Sequence, residues 1–181
     1  MNIVHIMMNA ATNKDKILEA SRKEALEKGL ENIGMREIAA ASSIALGTLY
    51  NYFPNKDALI LSTISSIWKE ALESLTAEYD FGKAIDNVYK AILRVDDTYS
   101  GFLSTHASML KGKSKGREEM VETQNKLKEY LLSSMDPMMR EKIKKSMNED
   151  EFMEFILINI IISAMKKDEP KVLKTIVSNL F

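Results

Sequence analysis

Along nearly the whole chain, apolar residues recur at the three-and-four spacing of a helix, not at the alternation of a strand. Ile17, Leu18, Ser21, Ala25 and Leu26 mark the buried stripe of a first helix, which Thr12 or Asn13 would cap and Gly29 would end. Met35, Ile38 and Ala39 mark a short second helix over 35–42, with Gly34 as its N-cap. A third, over 45–52, is closed by Pro54, because the residue before a proline is driven out of the helical region. Asn55 then caps a long fourth helix from 56 to about 79, with Asp57 placed to complement its dipole. Further helices are expected over 81–97, 100–111, 116–135, 137–147, 149–167 and 170–180. The segment 111–116, Lys-Gly-Lys-Ser-Lys-Gly, reads as a solvated connector. An all-α protein follows.

Composition narrows the class. A 45% hydrophobic content over 181 residues supports a genuine core. Cysteine is absent, which removes disulfides, thiolate metal sites and cysteine nucleophiles together. The two histidines, His5 and His106, form no Glu-x-x-His pair, and Glu118, Glu119 and Glu122 read as a solvated face, so neither a metal site nor a cofactor is expected. The connector lacks the pattern of a phosphate-binding glycine loop, and catalysis is not expected. Residues 1–11 lack the basic start and long apolar stretch of an export signal. The longest apolar run, 155–165, is far short of the roughly 20 residues of a membrane span and reads as a buried helix. A cytoplasmic protein without membrane attachment is the expectation.

Three short helices within the first sixty residues, the second and third joined by a tight turn, have the layout of a helix-turn-helix. The segment 38–53 is its centre. The strings Met35-Arg36-Glu37-Ile38-Ala39, Gly47-Thr48-Leu49-Tyr50-Asn51-Tyr52-Phe53 and Asn55-Lys56-Asp57-Ala58-Leu59, with Gly29 at the matching distance, closely resemble the signature of TetR/AcrR-family transcriptional regulators. The resemblance covers residues 13–60. It implies an N-terminal three-helix DNA-binding domain, 12–57, after a tail, 1–11, and before a C-terminal helical bundle, 58–181, that binds a small-molecule effector and dimerises.

Within the motif, Ile38, Ala39, Ile44, Leu49 and Phe53 suit a helix-crossing core. Gly47 weakens the first turn of the third helix and so calls for another reason, close approach to a DNA backbone. Thr48, Tyr50, Arg36 and Lys56 carry groups suited to phosphate oxygens, a role the resemblance also implies. Ala45, Leu46, Asn51 and the Thr48 methyl are placed to read base edges, and Tyr52 completes the candidate DNA-binding set. Several positions that are often basic in relatives are not basic here: Ala40, Ala41, Leu46 and Asn51. Ser43 stands where glycine is common in the turn, and Ala45 where serine often caps. Over residues 1–60, Lys14, Lys16, Arg22, Lys23, Lys28, Arg36 and Lys56 are balanced by Asp15, Glu19, Glu24, Glu27, Glu31, Glu37 and Asp57. The head is neutral, and the whole chain has a net charge of −1. DNA affinity must then come from a local surface.

In the remaining two-thirds, Trp68, Tyr89, Leu93, Tyr99, Phe102, His106 and Met109 are the candidate walls of an effector site, with ordinary core packing as the alternative for each. Phe152, Phe155, Ile156, Ile160 and Ala164 make the ninth helix apolar over too wide a face for a lone surface helix, which points to core plus a homodimer interface, with pure core as the alternative. The leading expectation is a dimeric, ligand-responsive repressor of a pseudo-palindromic operator. The alternative is a helical ligand-binding or protein-interaction module with a weakened grip on DNA.

Overall fold

A computed structural model describes residues 12–110 and 117–180, without the side chains of Met109, Leu110, Arg117, Glu119 and Met120. The expected tail 1–11 and connector 111–116 lie outside the described residues. The order is α1 (Asn13–Lys28), a 3-10 turn (Leu30–Asn32), α2 (Met35–Ala41), α3 (Leu46–Tyr52), α4 (Lys56–Glu73), α5 (Phe81–Thr98), α6 (Phe102–Leu110), α7 (Arg117–Ser133), α8 (Pro137–Ser146), α9 (Glu149–Lys166) and α10 (Lys171–Leu180). No strand occurs among the described residues.

Local chemistry explains most boundaries. The Thr12 hydroxyl accepts the Asp15 amide at 3.2 Å while the Asp15 carboxylate accepts the Thr12 amide at 3.0 Å, a reciprocal cap that starts α1. The Thr12 hydroxyl and amide, both donating to Asp15, hold its carboxyl below the usual carboxylate value. Gly29 ends α1 at φ +82° and ψ 154°, a conformation essentially reserved for glycine. Asn55 Oδ1 accepts the Ala58 amide at 2.8 Å and starts α4. Two expectations fail. Leu26 is 49% exposed, because the buried stripe runs through Ile17, Ala20, Ser21 and Ala25 and leaves Leu26 one position past it. Helix α4 stops at Glu73, six residues before 79, and the chain to Asp80 runs along the surface, with Tyr79 87% exposed.

One continuous hydrophobic core runs from Ile17 of α1 to Val177 of α10. Helix α1 joins the bundle through α4, where the Ser21 and Thr63 hydroxyls are 2.7 Å apart in a buried contact. Since the Thr63 hydroxyl donates to the Leu59 carbonyl at 2.8 Å, Ser21 is the donor to Thr63. The expected domain boundary at 57/58 falls inside the first turn of α4, which passes unbroken from the head into the bundle. There α4 packs on α7, α5 on α9, and α8 and α10 close over α9.

Candidate nucleic-acid interface

The α2–α3 turn sets the angle of the third helix. The Ile44 amide reaches back to the Ala39 carbonyl at 3.0 Å and the Ser43 amide to the Ala40 carbonyl at 3.1 Å, with Ser43 left-handed at φ +57°. This is the Schellman closure, whose pivot favours glycine, and Ser43 accepts the steric cost there. The Ser42 hydroxyl adds a bond to the Ile38 carbonyl at 2.7 Å. Ile44 packs on the core beyond the turn.

Helix α3 then divides into two faces. Leu49 and Phe53 are buried and Leu46 packs partly against the core, at i, i+3 and i+7. Gly47, Tyr50 and Asn51, at i, i+3 and i+4, are exposed on the other side, with Tyr50 46% and Tyr52 44% accessible. Ala45 is exposed at the N-cap without a side-chain cap bond, and Thr48 is half-buried. Thus Leu46, expected to read bases, gives much of its surface to the fold. At Gly47 a Cβ would meet nothing within 4 Å, so packing inside the protein does not require glycine there.

Flanking α3 are the two candidate phosphate cations. Arg36 is exposed in the first turn of α2. Lys56 is exposed at the first residue of α4, and its Nζ donates to the Glu31 carbonyl at 2.6 Å. That tie, between residues 25 apart, has no signature in the sequence. Gly34, the N-cap of α2, lies beneath the Glu37 carboxylate, which a Cβ at position 34 would overlap.

Of the candidate effector residues, four gather. Trp68 and Phe102 meet edge-on with centroids 5.3 Å apart, and the His106 ring lies 6.0 Å from each. Tyr99 stands 6.4 Å from Phe102. Phe102 is fully buried and Trp68 3% exposed, so these two rings pack within the core, whereas Tyr99 also borders an open cleft. Burial lowers the His106 pKa to about 4, so the ring is neutral near pH 7. Tyr89 belongs elsewhere: burial raises its pKa first, and the nearby carboxylates of Glu169 and Asp168 raise it further, placing it toward the α9–α10 link. Leu93 packs half-buried on the core, and the Met109 side chain lies outside the described residues. An open cleft of about 300 Å³ lies between α4 and α5, lined by Ile67, Ala71, Val95 and Tyr99 with Glu70 and Arg94 among its charged groups.

Of the dimer candidates, Phe152, Ile156, Ile160 and Ala164 are 0–4% exposed and belong to the core of the single chain. Phe155 alone of the five is on the surface, 47% exposed. The apolar face left open comprises Phe155, Ile158, Ile162 and Met165 on α9 with Val172, Ile176 and Leu180 on α10, each 42–75% exposed. Both faces of α9 are apolar, so periodicity could not tell them apart, and the run 155–165 is only partly buried. No helix among the described residues is long and apolar enough to cross a membrane.

The family model described as bacterial regulatory proteins, tetR family, matches residues 17–63, the segment built above from α1 to the start of α4. The transcriptional repressor KstR of Rhodococcus jostii is 38% identical over 52 residues, 29% of this chain and 24% of the repressor. An HTH-type transcriptional regulator of Staphylococcus aureus is 32% identical over 82 residues, 41% of this chain and 44% of its own. The chain therefore spans about a quarter of the length of the first relative and under half of the second. Among solved structures, a TetR transcriptional regulator from Rhodococcus sp. RHA1 is similar over 93% of this chain and 92% of its own, with TM-score 0.62 and 16% identity. The multidrug binding protein EbrR, solved with proflavin, is similar over 94% and 100%, with TM-score 0.58 and 13% identity. At those identities the likeness is one of fold.

Proposed function

We propose that the chain, whose residues 17–63 match the tetR-family model, is a TetR-type ligand-responsive transcriptional repressor, not an enzyme, that binds a pseudo-palindromic operator as a homodimer in the cytoplasm. The observation that carries this reading is the division of α3: Leu46, Leu49 and Phe53 fasten the helix while Gly47, Tyr50 and Asn51 face outward with no intramolecular partner that requires the glycine. Such a helix enters a major groove. Asn51 suits a bidentate contact to adenine, Tyr50 and Thr48 offer hydroxyls to phosphate, and Arg36 and Lys56 supply positive charge at the flanks.

A second copy of the chain is the proposed cover for the α9–α10 face. Exposed apolar side chains of this kind cost free energy in water, and a two-fold partner removes that cost by burying them. Pairing there orients two reading heads for half-sites one helical turn, or a multiple, apart. The proposed effector is a small molecule that enters the bundle. The α4–α5 cleft is its proposed site, because Glu70 on that cleft also lies 3.9 Å from Arg22 of α1, so a ligand there bears on the head. EbrR, of similar fold, was solved with proflavin, which supports a small-molecule effector for this chain. The neutral head favours a second reading, a helical ligand-binding or interaction module with a weakened grip on DNA.

Tyr50→Ala combined with Lys56→Ala separates the two. The repressor reading expects weaker binding to all duplex sequences alike, with the dimer intact by sedimentation. Unchanged affinity would remove these residues from the interface.

A further inference from the structure

The proposed phosphate contact Lys56 is held in place within the free protein. Its Nζ donates to the main-chain carbonyl of Glu31 at 2.6 Å. Glu31 sits in the 3-10 turn between α1 and α2, which the fully buried Leu30 pins into the core of the head. The Glu31 side chain points the other way: its carboxylate accepts the hydroxyl of Thr105 at 3.3 Å, across 74 residues of sequence. Thr105 belongs to α6 and is 2% exposed, whereas Glu31 and Lys56 are at the surface. A second contact lies beside the first, since a Cβ at Gly29 would come within 3.4 Å of the Ser100 carbonyl, just ahead of α6. Helix α6 is also held by Phe102, edge-on to Trp68, and by the tilted His106 ring beside it.

We propose that Glu31 is a positioning residue for Lys56 and that Thr105 makes its placement depend on α6. An ammonium has three donors, and committing one to a fixed carbonyl leaves two for a phosphate while removing the rotamer freedom that a loose lysine gives up on binding. The Thr105 hydroxyl holds the Glu31 carboxylate and thereby the turn that carries the carbonyl. When α6 shifts, that bond is lost, the turn relaxes and Lys56 loses its anchor. The inference rests on Lys56 as a phosphate contact and adds the path by which the bundle reaches it.

A double-mutant cycle on the full chain tests this, with random-sequence duplex DNA at low salt as the probe and fluorescence anisotropy as the readout. Thr105→Val keeps the shape and removes the hydroxyl, and is expected to weaken binding about three- to fivefold. Glu31→Ala, at an exposed site, is expected to do the same and guards against a folding defect at the buried position. In a Lys56→Ala background neither change should weaken binding further. Equal losses in both backgrounds, or no loss with Lys56 present, would overturn the link. If Lys56→Ala itself leaves binding unchanged, the phosphate reading fails and the link falls with it.

Discussion

Gly47 is the residue whose identity the fold explains least and the proposed function explains best. A glycine in the first turn of α3 costs helix stability, and open space lies where its Cβ would be. Gly47→Ala is therefore expected to stabilise the free protein by about 0.5 kcal/mol, a rise in Tm of 1–2 °C, while weakening duplex DNA binding at least tenfold, on the order of 1.4 kcal/mol, because the new methyl stands between helix and DNA. Higher stability with unchanged affinity would show that no close approach occurs. His106 gives a second residue-scale expectation. Its folded pKa is depressed to about 4 from 6.5, so between those values the unfolded chain binds more protons. The associated stability is fully present above pH 6.5 and is lost as pH falls toward 4, with about 2 kcal/mol gone by pH 5. Thermal melts at pH 7 and pH 5 should show His106→Leu losing less than the parent protein, and an equal loss in both would contradict a buried neutral ring. The outward residues of α3 were legible because helical spacing separates Leu49 and Phe53 from Gly47, Tyr50 and Asn51, while Leu46, expected to face outward, packs partly on the core. The Glu31 ties to Lys56 and Thr105 were not, since nothing local to any of the three residues announces a partner so far along the chain.

Elements that carry their own punctuation were readable: Thr12, Gly29, Pro54 and Asn55 each stand at a boundary for a stated chemical reason. Helix α4 has no such stop: between Glu73 and Phe81 only Leu75 packs against the core, and Asp80 starts the next helix by accepting the Lys83 amide at 2.9 Å. The 3-10 turn was missed because three residues are too few to show a period. The effector residues were illegible for a different reason, in that a buried aromatic packing against its neighbours and one lining a cavity are the same residue types. Helix α9 is the instructive failure, apolar on two faces of which one is core and one is open. Its proposed role is tested by Ile162→Glu, which puts charge at the centre of the open face without touching the core. The variant is expected to fold with a similar far-ultraviolet spectrum and to sediment as a monomer at concentrations where the parent is a dimer. A dimeric variant would place the interface elsewhere.

At the scale of the molecule, the head and bundle share one core, so a change in the bundle has a mechanical route to α3 through α4 and α1. The charge balance shapes how the whole binds. With Arg36 and Lys56 as the ionic contacts of each head, a dimer neutralises about four phosphates, and the logarithm of affinity should fall against the logarithm of salt with a slope of about −4. A slope near −8 would mean that other cations, such as Lys14, Lys16 or the lysines of 111–116, take part. The most direct test of the central claim is a selection of bound sequences from random duplex DNA at low salt with the purified protein. A dimeric repressor is expected to enrich an inverted repeat whose half-sites are centred one helical turn, or a multiple, apart, and to lose that enrichment in Tyr50→Ala with Lys56→Ala. Recovery of no enriched inverted repeat by the parent protein would contradict that claim.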